Sequence, residues 1–308
     1  MEMTKIKAAS PHVKGSMSTA GIMQMVLVAL LPTSIFGIFH FGIRALLHMI
    51  VCITTCVLTE FTYEAFANKP LAVTDFSAAV TGLLLALCLP VSAPLWVGVA
   101  GGIFAIGVVK MPFGGIGCNR LNPALAGRCF LMIVCAKWMT DYTCDAWSGA
   151  TPLALVKEGQ VPDPFSLLLG TTGGSIGETC VLAILAGAIL LLALGIINLR
   201  IPVSGVCAFI LVLLLFGGKG FDEVYLVTEL CGGGFLLGIW FMATDYTTSP
   251  LTGRGQILYG ILIGILAAAF RMAGGVTEGT CYAILLANLT VPLIDRVTEP
   301  RVFGKKIK

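Results

Sequence analysis

Ten apolar stretches of near-bilayer length follow one another along this chain, and they constrain its fold more than any other feature: 21–40, 45–66, 75–89, 93–109, 122–140, 178–198, 201–216, 224–243, 256–270 and 277–294. A helix crossing the ~30 Å hydrocarbon layer needs ~20 apolar residues, because lipid offers its backbone no hydrogen-bond partners. The stretches near 75, 201 and 256 are short for a perpendicular crossing, so they are expected to borrow from their flanks or to be partly re-entrant. Of the 308 residues, 57% are hydrophobic and only 11% charged, with a mean hydropathy of +0.96. Composition and pattern together exclude a soluble fold. They predict an all-α integral membrane protein of about ten transmembrane helices, interrupted by Gly and Pro, with residues 1–308 forming a single polytopic domain. A net charge of +3, without a basic face outside the short C-terminal tail, argues against nucleic acid as a partner and leaves membrane lipid as the surrounding phase.

Orientation follows from the cations, which are retained on the cytoplasmic side of short loops. With the N-terminus inside, thirteen Lys and Arg residues fall on the cytoplasmic side and five outside, with Arg128 left within a span. This places both termini in the cytoplasm of a bacterial cell and the long 141–177 connection outside its inner membrane. Lys110 counts among the cytoplasmic loop charges and Arg271 among the external ones. The Lys-bearing N-terminus precedes a span-length stretch without a small-residue cleavage site, so it reads as an anchor.

The eleven cysteines include no CxxC pair, and most lie in apolar segments where a thiol behaves as a small hydrophobe. Packing is therefore expected of them, even for Cys52 and Cys56, which share a helix face. An internal echo links residues 101–107 with 233–238, both Gly-rich. Each leads into a Pro-containing polar link, ending at Asn122-Pro123 and at Ser249-Pro250. Repeated, interrupted segments of this kind build sites near the midplane of transporter-like folds, although Gly-rich helices also resemble one another by composition alone.

The external connection carries Asp145-Ala146-Trp147-Ser148-Gly149-Ala150-Thr151, followed by Pro152. Small residues before Thr151 leave its hydroxyl open to a bulky substituent, and Pro152 biases it toward an extended conformation. On physical grounds alone, a Ser/Gly/Pro turn explains the segment as well. The seven residues resemble the D-x-x-S-G-A-T motif on whose threonine a flavin transferase esterifies FMN. The wider chain is similar to the family of the D subunit of Rnf complexes and the B subunit of Na+-translocating NADH:quinone reductases. That similarity includes Gly114-Gly115-Ile116-Gly117-Cys118-Asn119-Arg120-Leu121-Asn122-Pro123-Ala124 and Met242-Ala243-Thr244-Asp245-Tyr246-Thr247-Thr248-Ser249-Pro250. The long N-terminal extension of the quinone-reductase subunit is missing, which favours the Rnf side. The resemblance implies covalent FMN on Thr151, flanked by Asp145, Ser148, Gly149 and Ala150. It also implies a noncovalent riboflavin, for which Asn119, Asn122, Arg128 and Asp245 are candidate neighbours. The implied setting is a six-subunit membrane complex that couples electron flow between ferredoxin and NAD to Na+ or H+ export, with a flavin transferase acting during maturation. The chain alone is then expected to be catalytically silent, with no catalytic acid or base and no metal site of its own.

Polar residues inside the spans have two readings each. Arg128, with Asn119 and Asn122 close in sequence, is expected to face a polar cavity or to snorkel to the cytoplasmic boundary, the cavity being preferred. Asn119, Asn122, Asp245, Thr247 and Thr248 either line that cavity or cap broken helices. Glu60 and Glu64, on one face of the second span, and Glu229 in the eighth are candidates for a Na+ or H+ site, with solvation near the cytoplasmic end the simpler account of Glu64 and Glu60. Trp147 and Tyr142 are candidates for cofactor packing or for an interfacial aromatic belt. A small-solute channel or transporter of urea-transporter-like architecture would suit the Gly-rich broken helices too, and a membrane scaffold is a third reading. Neither has any use for a flavin acceptor at Thr151.

Overall fold

The computed structural model describes residues 18–68, 73–142, 151–157, 163–218, 220–273 and 279–299. All ten expected segments are helical, and no strand occurs among the described residues. Four helices are long and apolar enough to cross a membrane singly: α1 (Thr19–Phe41), α2 (Ile43–Phe66), α13 (Gly253–Met272) and α14 (Thr280–Thr298). Between them lie shorter helices: α3 (Ser77–Leu87), α4 (Leu95–Phe104), α5 (Pro123–Val134), α6 (Ala136–Met139), α7 (Pro152–Lys157), α8 (Pro164–Leu169), α9 (Val181–Ala193), α10 (Arg200–Phe216), α11 (Glu223–Cys231) and α12 (Phe235–Leu237). The α11 helix and the run formed by α12 and its continuation, Phe235–Met242, meet at a 57° bend, so the eighth apolar segment is a broken span.

Local sequence sets these boundaries. Ser18 caps α1 by accepting from the Gly21 amide at 3.1 Å. The chain then reverses at Gly42, whose φ of 74° suits a residue without a Cβ. Asn122 and Thr252 cap α5 and α13 in the same way, the first with Pro123 behind it at the first helical position. Both halves of the echo take the same course. The Gly-rich helices continue into π-helical turns, Ala105–Lys110 and Gly238–Met242, before the polar link and the capped helix.

The α3 helix has eleven residues, about 16 Å at 1.5 Å per residue, or roughly half the hydrocarbon thickness. Nearly every residue of it is buried, so it lies inside the protein rather than against lipid. Its last carbonyls do not remain empty. Those of Leu87 and Leu89 accept from the amides of Gly177 (2.8 Å) and Ile176 (3.1 Å). The C-terminal part of the 141–177 connection is thus no simple loop: residues 172–178 are buried and complete the end of a half-span.

Small residues bring the long helices close. Gly187 of α9 lies against the Ala29 carbonyl of α1, and Gly260 and Gly264 of α13 lie against the backbone of α10 at Ile201 and Gly205. Gly260 and Gly264 form the small-xxx-small spacing that lets membrane helices pack backbone to backbone. Cys52 and Cys56 fill the space over Gly98 and Gly102, in keeping with their expected packing role. A branched side chain at Gly264 has no room, whereas a methyl at Gly21 would meet nothing closer than 3.4 Å. Gly264→Val is therefore expected to destabilise the detergent-solubilised protein by about 1–3 kcal/mol or more, and Gly21→Ala to leave it unchanged or stabilise it by a few tenths, measured by thermal unfolding.

Candidate functional site

Two cavities collect the polar residues of the spans. The first, with a cavity volume of about 80 Å³, is lined by both echoed links: Asn119 and Asn122 from one, Asp245, Tyr246 and Thr247 from the other, with Lys110 at its side. Val80, Leu84, Ile116 and Phe241 form apolar walls. Asn122 does two jobs there. Its Oδ1 accepts from the amides of Ala124 (3.1 Å) and Leu125 (3.3 Å), while its Nδ2 donates to the Met242 carbonyl (3.2 Å), tying α5 to the π-turn after α12. Behind it, Asn288 of α14 hydrogen-bonds the Tyr259 hydroxyl. In the amide orientation that suits its neighbours, its oxygen also accepts from the Asn122 amide at 3.1 Å.

Asp245 is largely satisfied by its own turn, accepting from the Thr247 amide (3.2 Å) and hydroxyl (2.7 Å). Desolvation raises its carboxyl above the ordinary range, opposed by the hydroxyls of Thr247 and Thr248. Capping and cavity lining, the two readings of these residues, therefore hold together. Asn119 differs: it is 8% exposed, and its Oδ1 is buried without a hydrogen-bond partner at the wall of the cavity. An orphaned amide oxygen beside apolar walls suits a planar, mostly apolar ligand with a polar edge.

Thr151 lies elsewhere. It is the residue before α7, its hydroxyl oxygen accepting from the Ala154 amide at 3.4 Å. It is half-buried at a second cavity lined also by Tyr142, Thr172, Glu178, Thr179, Gly232 and Gly233. The long, weak contact leaves the hydroxyl proton available, and a phosphoester at that oxygen would keep its acceptor role. The expected flanking residues Asp145, Ser148, Gly149 and Ala150, together with Trp147, lie outside the described residues.

Arg128 corrects the sequence reading. It does not line the cavity of Asn119 and Asn122. Nearly two helical turns beyond Asn122 on α5, about 9 Å along the axis, it is buried beside Glu178 and Gly234 at the break of the eighth span, within electrostatic reach of Tyr142. Arg128 thus belongs with the Thr151 side of the molecule. Helix rise separates it from residues that sit next to it in sequence.

Two further corrections concern charges assigned to solvent. Glu60 and Lys110 are each 1% exposed and pair at 2.6 Å, and Lys110 also donates to Ser77 at the start of α3. Glu64 is buried as well. Arg271 pairs with the Glu229 carboxylate at 3.0 Å, donates to the Glu229 and Gly232 carbonyls, and lies over the Phe209 ring at 5.0 Å. The two clusters are alike. Lys110, at the end of the π-turn after α4, reaches Ser77 beside the left-handed Phe76 (φ 63°) that precedes α3, and Arg271, near the end of α13, reaches Gly232 beside the left-handed Gly233 and Gly234 (φ 64° and 65°) that precede α12. They belong to the fourth and ninth of the ten apolar segments, one in each half of the echo. Sequence reasoning missed these partners, and also the inward turn of Glu178, whose Oε1 accepts from the Ser175 amide at 2.8 Å. The visible signal was the Gly-rich run 173–177 before it.

These features define an α-helical membrane protein with an interrupted eighth segment and two cavities lined by polar side chains, one of them bordered by Thr151. The chain belongs to the NQR2, RnfD, RnfE family, whose model matches residues 6–304. It is 42% identical to the D subunit of the Na(+)-translocating ferredoxin:NAD(+) oxidoreductase complex of Acetobacterium woodii, over 100% of this chain and 98% of the relative. It is 39% identical to the D subunit of the proton-translocating ferredoxin:NAD(+) oxidoreductase complex of Clostridium ljungdahlii, over 97% and 96%. With the D subunit of the ion-translocating oxidoreductase complex of Methanosarcina acetivorans, identity is 34% over 96% and 95%.

Removing one member of either buried ion pair leaves an unpaired charge. Lys110→Met alone is expected to cost about 3–5 kcal/mol, and Lys110→Met with Glu60→Gln to recover most of it. Chemical denaturation of the four members of this double-mutant cycle checks the prediction.

Proposed function

We propose that this chain is the D subunit of an ion-translocating ferredoxin:NAD+ oxidoreductase, an electron-transfer component of a redox-driven Na+ or H+ translocase that is inactive on its own. Family membership and near full-length similarity to two such subunits support this reading. FMN esterified to Thr151 by a flavin transferase, and riboflavin in the cavity of Asn119, are the cofactors proposed for it. A bound flavin supplies one- and two-electron transfer, so the chain needs only to hold and orient it, and no general acid or base is required.

The observation that carries the flavin reading is the second cavity. Thr151 offers a half-buried, weakly engaged hydroxyl at its edge, while Glu178 Oε2 and Thr179 Oγ1 beside it have no hydrogen-bond partner among the described residues. In the first cavity, Asn119 would take a donor from the edge of the second flavin. Asn122 acts through the fold, holding the two echoed links at a fixed separation. Arg128, placed at the first cavity by sequence proximity, is reassigned to the Thr151 side. By the cation asymmetry, the Thr151 side faces out of the cytoplasm, with both termini inside the inner membrane.

Expressed with its complex and a flavin transferase, the chain is expected to give a flavin-fluorescent band after full denaturation, and Thr151→Ala to abolish it. A dark wild-type band beside active transferase would favour the solute-channel reading. Asn119→Leu is expected to lower acid-extractable, noncovalent flavin about tenfold or more while leaving the fluorescent band unchanged. Flavin quantification of purified complexes checks the second outcome.

A further inference from the structure

Glu178 has an unusual position for a carboxylate. It is 7% exposed, at the inner end of a connection that dips back into the bundle to complete α3. One oxygen accepts from the Ser175 amide at 2.8 Å and occupies the space over Gly174 that a Cβ there would fill. The other oxygen, Oε2, is directed toward the break at Gly234 and has no hydrogen-bond partner among the described residues. Thr179, 4% exposed, has an unpartnered hydroxyl oxygen, and both residues line the cavity that Thr151 borders. Arg128 approaches the same break at Gly234 from α5, so a buried guanidinium shares this corner of the structure with the carboxylate.

An ionised carboxylate oxygen is an acceptor only, and a buried one calls for a donor. Reach decides which donor. A flavin mononucleotide joined to Thr151 through its phosphate presents its polyol chain first, with three hydroxyls, and its ring only beyond them. We propose that Glu178 and Thr179 form a polyol clamp: Glu178 Oε2 accepts from the ribityl hydroxyls of the tethered flavin, and Thr179 exchanges a hydrogen bond with the same chain. The clamp fixes the direction in which the ring leaves its tether. It rests on the attachment at Thr151 but is separable from it, because ester formation needs only the threonine hydroxyl and the clamp acts afterwards.

The test uses the complete complex matured with flavin transferase, carrying Glu178→Ala, Glu178→Gln or Thr179→Val. Covalent flavin is counted by fluorescence after denaturation, and tether order by time-resolved flavin anisotropy in the native complex. The expected result is unchanged covalent flavin in all three, with residual anisotropy lowered about twofold in Glu178→Ala and less in Thr179→Val. It should be largely kept in Glu178→Gln, whose amide oxygen still accepts. Wild-type anisotropy in both Glu178→Ala and Thr179→Val, with full covalent flavin, would overturn the clamp and leave the attachment standing. Absence of covalent flavin from the wild type would overturn both. A rise in melting temperature with NaCl but not KCl, seen in Thr151→Ala and lost in Thr151→Ala with Glu178→Ala, would assign the cavity to a cation and overturn the clamp as well.

Discussion

Backbone hydrogen bonding inside the bilayer is the constraint on which the rest of this structure depends. A helix that stops halfway leaves up to four carbonyls or amides without partners, and hydrocarbon supplies none. Here each interruption has a protein answer. The end of α3 is completed by the amides of Ile176 and Gly177, the start of α5 by the Asn122 side chain, and the end of α11 by Arg271 on the Gly232 carbonyl. Irregular backbone at depth then becomes available to line cavities, because its own polar groups are already satisfied.

The two buried ion pairs serve the same constraint. Lys110 and Arg271 bring charge into low-dielectric surroundings at a desolvation cost that their pairing offsets only in part, so net stabilisation is a poor account of them. Each also reaches back to a left-handed break before an earlier helix, and each donates beside it, to the Ser77 hydroxyl in one case and the Gly232 carbonyl in the other. The pairs therefore specify how a broken span closes rather than simply strengthening it. The two halves thus carry similar ion pairs beside different cavities: one built on the paired links of Asn122 and Asp245, the other on Thr151 and the chain around Glu178.

Much of this was legible in the sequence. Span-length apolarity fixed the all-α membrane class and the positions of ten helical segments, since burial in lipid follows from composition and length alone. The link residues Asn119, Asn122, Asp245 and Thr247 were identifiable as a group because polar, Pro-containing stretches inside apolar runs must cap or line something. Thr151 stood out through a local motif, and its neighbourhood of small residues is a property of consecutive positions.

Other features depended on approach between distant segments. Arg128 is six positions from Asn122, yet helix rise carries it to a different cavity. Lys110 and Arg271 read as loop cations until Glu60, fifty residues away, and Glu229, forty-two away, were folded against them. The inward turn at Glu178 depends on α3 ending where Gly177 can reach it. The sequence by itself determined which segments enter the membrane and which residue could carry a substituent, because transfer free energy and local chemistry are summed over neighbouring residues. Which polar groups share a cavity was decided only by the tertiary structure, because a hydrogen bond or ion pair depends on distances in space that chain separation does not encode.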